Sequence, residues 1–149
     1  MKPEEKELLL KDLCARLPYE VKVDHFGTVK ELLGIMPSSE NVMVGYDIND
    51  YEDSTIEDIK PYLRPMSSMT EEERNEYRNI DNRSYSCPMD YAHIPTSDRI
   101  DWLNAHHFDY RGLIEKGLAI EAPKGMWYIM RKIMKMSMRF KEWYCKLNL

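Results

Sequence analysis

The hydrophobic period of this chain changes at Pro18, and that change constrains the fold more than any other feature. Before Pro18, residues 3–16 repeat leucines at three- and four-residue spacing behind a proline and two glutamates, which predicts an N-terminal helix. After it, residues 19–23 alternate apolar and polar side chains, and two more short runs follow at residues 28–36 and 41–48. These runs predict three consecutive antiparallel strands.

The segment after the third run predicts one helical turn, which Ser54 or Thr55 would cap and Pro61 would end. Three meandering strands with a single-turn helix behind them resemble part of a small SH3-like barrel, but such a barrel needs more strands. A small sheet is stable when a helix covers its apolar face, and the N-terminal leucine stripe can do so. We therefore predict a helix-covered antiparallel sheet over residues 19–48, with the SH3-like barrel as the alternative.

The second half, residues 66–123, is predicted to be a helical and loop-rich part of the same domain as residues 1–65. In residues 66–123, capping residues mark where helices begin, and a glycine marks where the last of them ends. Three helices are predicted there: a polar helix opened by a capping box of Thr70 and Glu73, a helix capped by Ser97 that continues through Phe108, and a short helix that ends at Gly117. The predicted fold class is α+β.

The charge of the chain is unevenly distributed. Seven Lys and Arg residues against one Glu give residues 124–149 a charge of +6, so residues 1–123 carry −11 of the total of −5. Pro123 and Gly125 separate this acidic body from the basic tail. The tail also spaces its apolar side chains as one face of a helix would, which predicts a long amphipathic C-terminal helix over residues 124–149.

An uncovered apolar helix face rich in methionine and aromatic residues is typical of an interaction site. We therefore predict that the tail makes the main contact, by self-association or with a partner protein. Nucleic-acid binding through the basic residues is the less favoured alternative. The predicted contact residues are Met126, Trp127, Met130, Ile133, Met134, Phe140 and Tyr144, with the basic residues Arg131, Lys132, Lys135 and Arg139.

The cysteines and the absence of long apolar runs bear on the compartment. Cys14, Cys87 and Cys145 are odd in number and widely spaced, which argues against a disulfide framework and for a reducing environment. The acidic first residues do not fit a secretory signal, and no apolar run approaches the roughly 20 residues of a membrane span. We expect a cytoplasmic protein without a transmembrane segment.

Residues 101–117 contain the adjacent pair His106 and His107, a tryptophan and several carboxylates, and so invite a metal-site interpretation. Neighbouring helix positions point about 100° apart, which makes it difficult for both histidines to bind one metal. A zinc site with Cys87 and His93 would also need a ligand spacing that structural zinc sites do not use. We expect instead that His106 caps its helix and that His107 or Trp102 packs on the body.

Enzymatic motifs are weak throughout. A cysteine-dependent hydrolase with Cys87 as nucleophile and His93 or His107 as base is the alternative function, although no basic neighbour or helix N-terminus activates the thiol. A serine elbow and a glycine-rich phosphate loop are both absent from the sequence. The acidic residues 47–53 depart from an EF-hand and predict a solvated turn. We expect no enzymatic activity, no cofactor and no metal.

Three stretches carry a resemblance to other chains: "LLLKDLCARLPYEVKV", "IEDIKPYLRPMSSMTEEE" and "IDWLNAHHFDYRGLIEKGLAIEAP". In them the protein resembles a recurrent group of uncharacterised small proteins from gut anaerobic bacteria and their phages or prophages. The resemblance implies a phage or mobile-element context and assigns no activity, catalytic residue or ligand. Together with the tail, it favours a non-enzymatic interaction or accessory protein.

Overall fold

The structure, a computed structural model, describes residues 1–47, 49–82 and 97–127. Helices and a mixed sheet confirm the α+β class. The helices are α1 (Pro3–Arg16), α2 (Glu71–Asn82) and α3 (Ser97–Ala105), and the strands are β1 (Lys22–His25), β2 (Thr28–Met36), β3 (Asn41–Asp47), β4 (Asp50–Thr55), β5 (Ile59–Leu63) and β6 (Ile120–Glu121). The strands lie side by side in the order β4-β3-β2-β1-β5-β6.

The prediction of a three-stranded antiparallel sheet is wrong in extent. β2 and β3 match the predicted runs, but β1 begins at Lys22 rather than Tyr19, because residues 17–19 form a 3₁₀ helix and Glu20 has a left-handed φ of 56°. β4 and β5 extend this meander on either side, and β6 joins β5 in parallel. β4 occupies most of the predicted solvated turn, because its backbone pairs with β3 in an antiparallel ladder.

Pro61 does not end a helix but lies within β5, where it pairs with Val23 of β1. β6 pairs only with Tyr62 and Leu63 on the other side of the strand.

The five strands β1 to β5 are rolled up rather than flat. β4 and β5 lie four strand spacings apart in the sheet order, about 19 Å in a flat sheet. Only the 3₁₀ helix Ile56–Asp58 connects them, and even a fully extended chain from Thr55 to Ile59 would span about 14 Å. The sheet must therefore curl, and a bulge in β2 between Leu32 and Gly34 helps it to bend.

α1 covers the concave, apolar side of this curled sheet, as predicted. Leu9 and Leu13 are fully buried there against the inward-facing side chains of the strands. The cluster includes Val21, Val23, Leu32, Val42, Val44, Ile56, Ile59, Leu63 and Leu113. Burying an aliphatic side chain of this size stabilises a fold by roughly 1.5–3 kcal/mol, so the helix and sheet depend on each other.

The same stripe of α1 also buries a charged pair. Asp12 and Arg16 are 0% exposed, and two hydrogen bonds of 2.7 and 3.1 Å join the guanidinium of Arg16 to the Asp12 carboxylate. Arg16 also donates to the Phe108 carbonyl oxygen at 2.7 Å, and Arg111 Nε lies 3.2 Å from Asp12 Oδ1. These contacts tie α1 to the chain that follows α3.

The second half differs from its prediction after the first helix. The capping box is confirmed, because Thr70 N donates to Glu73 Oε2 and Glu73 N donates to Thr70 Oγ1. α3, however, ends at Ala105 rather than Phe108, since His107 has a left-handed φ of 58° that a helix cannot continue.

The short helix predicted to end at Gly117 is replaced by turns. The Asp109 carboxylate organises them by accepting hydrogen bonds from Leu113 N and Ile114 N, each at 2.8 Å. The backbone of Arg64 meanwhile bonds with His107 O and Asp109 N, which attaches this segment to the end of β5. Contacts with the end of β5 and with the Asp109 carboxylate therefore hold these residues in turns instead of the predicted short helix.

The predicted C-terminal helix lies outside the described residues from position 128 onward, and Pro123 and Gly125 form a turn at its root. None of the helices that the structure describes combines the length and hydropathy that a membrane crossing requires.

Candidate functional site

The adjacent histidines of the predicted metal-like motif serve as packing groups. His106 Nδ1 lies 2.8 Å from the Trp102 carbonyl oxygen, and its ring stacks on Trp102 at 3.8 Å, which confirms the predicted cap. His107 is buried and stacks on Trp127 at 3.6 Å. Burial, and secondarily the charges of Arg16 and other nearby cations, lowers the pKa of His107 to about 3. At neutral pH such an imidazole is a weak base.

Cys87 and His93, which belong to the disfavoured zinc site and to the alternative cysteine hydrolase, lie outside the described residues. Within those residues, His, Cys, Asp and Glu side chains form no group of three that could hold a metal ion. The acidic residues once compared with an EF-hand lie along the β3–β4 hairpin, where Asp47 accepts a hydrogen bond from Asn49 N at 2.6 Å.

Two of the predicted contact residues are described. Met126 is half-buried, and Trp127 is buried with 8% of its surface exposed. The root of the tail thus packs on the body of its own chain through the stack of Trp127 on His107. The remaining predicted contact residues lie outside the described part: Met130, Arg131, Lys132, Ile133, Met134, Lys135, Arg139, Phe140 and Tyr144.

A cleft of about 570 Å³ lies beside Trp127, between the start of α2 and residues 121–127. Arg64 and Glu73 form part of its wall through two hydrogen bonds of 2.8 Å. Three exposed carboxylates also line it, and within the described residues none of them makes an ion pair: Glu72, Glu76 and Glu121. Lys124 also lines the cleft, so its exposed charged side chains are three carboxylates and one ammonium group. The indole N–H of Trp127 is buried and has no hydrogen-bond partner among the described residues.

A second polar cluster, which the sequence analysis missed, lies at the mouth of the curled sheet. His25 Nε2 is 3.0 Å from Ser54 Oγ, and His25 Nδ1 is 3.1 Å from Glu52 Oε1. Lys30 forms an ion pair with the same carboxylate and lies 3.4 Å from His25 Nδ1. We call these four residues, from strands β1, β2 and β4, the His25 cluster.

The members of the His25 cluster occupy inward-facing strand positions. His25 is two residues after buried Val23, and Glu52 and Ser54 pair with buried Val44 and Val42 across the β3–β4 ladder. Because side chains alternate between the faces of a strand, these polar groups share the core side of the sheet. In the sequence, the cluster is visible as polar residues at alternating strand positions that face the core. Seeing it there requires β4 to be identified as a strand.

The hairpin beside His25 is conformationally strained. Phe26 and Gly27 form its two-residue loop with φ of 51° and 82°, and a left-handed φ is unusual for a bulky residue such as phenylalanine. The Phe26 ring is 76% exposed and packs at 4.5 Å from the His25 ring. Strained residues of this kind concentrate at functional sites, which draws attention to the His25 cluster.

Comparison with protein-family models, curated proteins and solved structures finds no match to this chain. The candidate sites are therefore weighed on their geometry and charge alone.

Proposed function

We propose that this protein works by binding, and that it self-associates when the basic tail of one copy contacts the acidic cleft of a second copy. The observation that carries this proposal is the cleft itself, with its three carboxylates at the root of a strongly basic tail. The proposal is based on the charge and the exposed surface of this site, and not on an analogy with another fold.

Charge complementarity supports the choice of a second copy as occupant. The body carries −11 and the tail region +6, so each copy offers both halves of an attractive pair. The contact joins two different segments of the chain, so two copies can exchange tails in a closed dimer or add to one another head to tail. An arriving tail would supply ammonium and guanidinium groups to Glu72, Glu76 and Glu121.

Trp127 is buried on His107 beside the cleft, which anchors the root of the tail close to the carboxylates. Its indole N–H lacks a partner in the described part of the chain, and a buried unsatisfied donor costs about 1–3 kcal/mol. The methionine and aromatic residues of the tail would supply the apolar part of the same contact.

Full-length charge variants provide the test. In the cleft variant, Glu72→Lys, Glu76→Lys and Glu121→Lys are combined, and the tail variant combines Arg131→Glu, Lys132→Glu and Lys135→Glu. We expect the wild-type chain to self-associate, each variant alone to associate at least about tenfold more weakly, and an equimolar mixture to form mixed oligomers. Sedimentation velocity at two ionic strengths measures the association, which salt should weaken.

The matched control reverses three exposed carboxylates elsewhere, namely Glu7, Asp53 and Glu115, each to Lys. This control should associate as the wild type does. A wild-type chain that stays monomeric at high concentration, or a mixture that fails to restore association, would refute self-association. Salt-sensitive binding to duplex DNA that the cleft variant leaves unchanged would favour the nucleic-acid alternative instead.

The cytoplasmic location and the phage or mobile-element origin are parts of the same proposal. The cysteine pattern supports the first, and the resemblance of the three quoted stretches supports the second.

A further inference from the structure

We propose that Ser54, His25 and Glu52 form a nucleophile, base and carboxylate relay that accepts an acyl group from small activated esters. This activity is independent of the proposed self-association, because the His25 cluster belongs to the curled sheet and not to the cleft beside Trp127.

In such a relay, the nucleophile lies next to one ring nitrogen of the histidine and the carboxylate next to the other, and this arrangement is present here. Ser54 Oγ lies 3.0 Å from His25 Nε2, and Glu52 Oε1 lies 3.1 Å from the other ring nitrogen, Nδ1. When Glu52 accepts the proton of Nδ1–H, Nε2 is left as an acceptor for the Ser54 hydroxyl. That hydroxyl also donates to Asp58 Oδ2 at 3.4 Å, so it must turn from this longer contact toward Nε2 before it can act as a nucleophile. A nucleophile paired with a base that a third group orients is the recurring geometry of nucleophilic catalysis.

The fold holds the three groups on strands rather than on loops. Glu52 and Ser54 are two residues apart on β4 and therefore project from the same face. His25 ends β1, pairs across the ladder with Ile59 of β5, and has a side chain only 7% exposed. Lys30 forms an ion pair with Glu52 Oε1, the same carboxylate oxygen that lies near His25 Nδ1.

The position of the relay at the rim permits access. Ser54 is partly exposed, and the side chain of Glu52 is 49% exposed. The exposed Phe26 ring, held in its strained hairpin beside His25, offers an apolar surface for a short acyl chain. A neutral ester with a small acyl group fits this setting.

The chemical step is an ordinary acyl transfer. Ser54 Oγ bonds to the ester carbonyl carbon while its proton passes to His25 Nε2, and the carbon–alkoxy bond then breaks as that proton is returned to the leaving alcohol. Water repeats the sequence on the acyl-serine and releases the carboxylic acid and free Ser54.

The surroundings of Ser54 restrict the substrate class to activated esters. The Thr55 N–H, the amide that follows the nucleophile, already donates to Asp58 Oδ2 at 3.3 Å. It is therefore not available to stabilise the oxyanion, and loss of one such donor typically costs about 10²–10³ in rate. A good leaving group compensates for this loss, whereas an amide would not.

The test combines an alkyl fluorophosphonate, which labels activated serines, with hydrolysis of p-nitrophenyl acetate. We expect label on Ser54, none at that position in Ser54→Ala, and a fall on the order of 10²–10⁴ in the labelling rate of His25→Gln. Ser39→Ala, at an exposed serine in the β2–β3 turn, is the matched control and should label as the wild type does. Wild-type labelling no faster than that of the urea-unfolded chain would overturn the proposal.

A second measurement covers variants that fail to fold. In Ser54→Cys, a thiol next to His25 should be alkylated by iodoacetamide well below the pH at which a free thiol, with a pKa of about 8.5, becomes reactive. An alkylation profile that matches a free thiol would show that His25 does not act as a base toward this position, and would refute the relay.

Discussion

The Asp12–Arg16 pair and the His25 cluster contain the same kinds of group but differ in their access to water. Asp12 and Arg16 are fully buried, and the second half of the chain supplies their further partners, the Phe108 carbonyl and Arg111. In the His25 cluster, by contrast, the Glu52 side chain is 49% exposed.

That difference determines what each cluster can do. A charge removed from water costs several kcal/mol, so every group of the buried pair must keep its partner and the pair specifies how α1 meets the rest of the fold. A cluster at a rim keeps part of its hydration and can exchange a partner for a ligand at little cost. The buried pair is therefore structural, and the partly exposed His25 cluster is the better location for chemistry.

The largest expected effect comes from breaking the buried pair. Asp12→Ala leaves Arg16 buried without its carboxylate, and we expect it to lower the free energy of unfolding by about 3–5 kcal/mol. Glu52→Ala, its counterpart in the exposed cluster, should cost at most about 1 kcal/mol. Urea denaturation of both variants measures the contrast, with Glu7→Ala on the outer face of α1 as a control that should change little. Equal losses at positions 12 and 52 would contradict the comparison.

An intermediate effect comes from acidification, through His107. Its folded-state pKa of about 3 lies below the ordinary value of 6.5, so the unfolded chain takes up this proton first as the pH falls. The contribution of neutral His107 is complete above pH 6.5 and is lost progressively toward pH 3, which predicts a loss of about 2 kcal/mol between pH 7 and pH 5.

Unfolding curves measured across that range test the His107 prediction. His107→Asn suits the left-handed backbone and cannot be protonated, so its stability should change much less between pH 7 and pH 5. A variant that retains the full pH dependence of the wild type would assign the effect to other groups.

The smallest expected effect is a gain at the strained hairpin. Phe26→Asn creates an Asn-Gly loop, the preferred pair for two positive φ angles, and should raise the free energy of unfolding by about 0.5–1 kcal/mol. Gly27→Ala is the opposite control, because its added Cβ meets no atom within 4 Å and so costs only backbone strain. A loss of stability in Phe26→Asn would show that the ring contributes more to packing on His25 than its left-handed φ costs.

Several elements followed from local signals in the sequence. The N-terminal helix begins at Pro3 and ends at Arg16 as predicted, and the Thr70–Glu73 capping box and the His106 cap are both present. Each of these features depends on residues within four positions of one another. Side chains that are neighbours in sequence meet whenever the helix forms, whatever the remainder of the chain does.

The buried pair was not recognised, although its signal is visible in retrospect. Asp12 and Arg16 continue the stripe of Leu9 and Leu13 at helical spacing, yet charged residues are almost never fully buried unless paired. The Phe108 carbonyl, 92 positions away from Arg16, accepts a hydrogen bond from the guanidinium and so offsets part of the cost of burying the charge. No local sequence pattern predicts that this carbonyl will be the partner of Arg16.

The sequence by itself determined the α+β class, the N-terminal helix, the central meander of β1 to β3 and the opposite charges of body and tail, because these depend on composition and short-range periodicity. Only the tertiary structure decided that β5 passes through Pro61, that β6 joins it, and that the sheet curls until Ser54 meets His25. Ladders and side-chain contacts between distant residues are selected by the packing of the whole core. A local pattern cannot encode which distant strand will complete it.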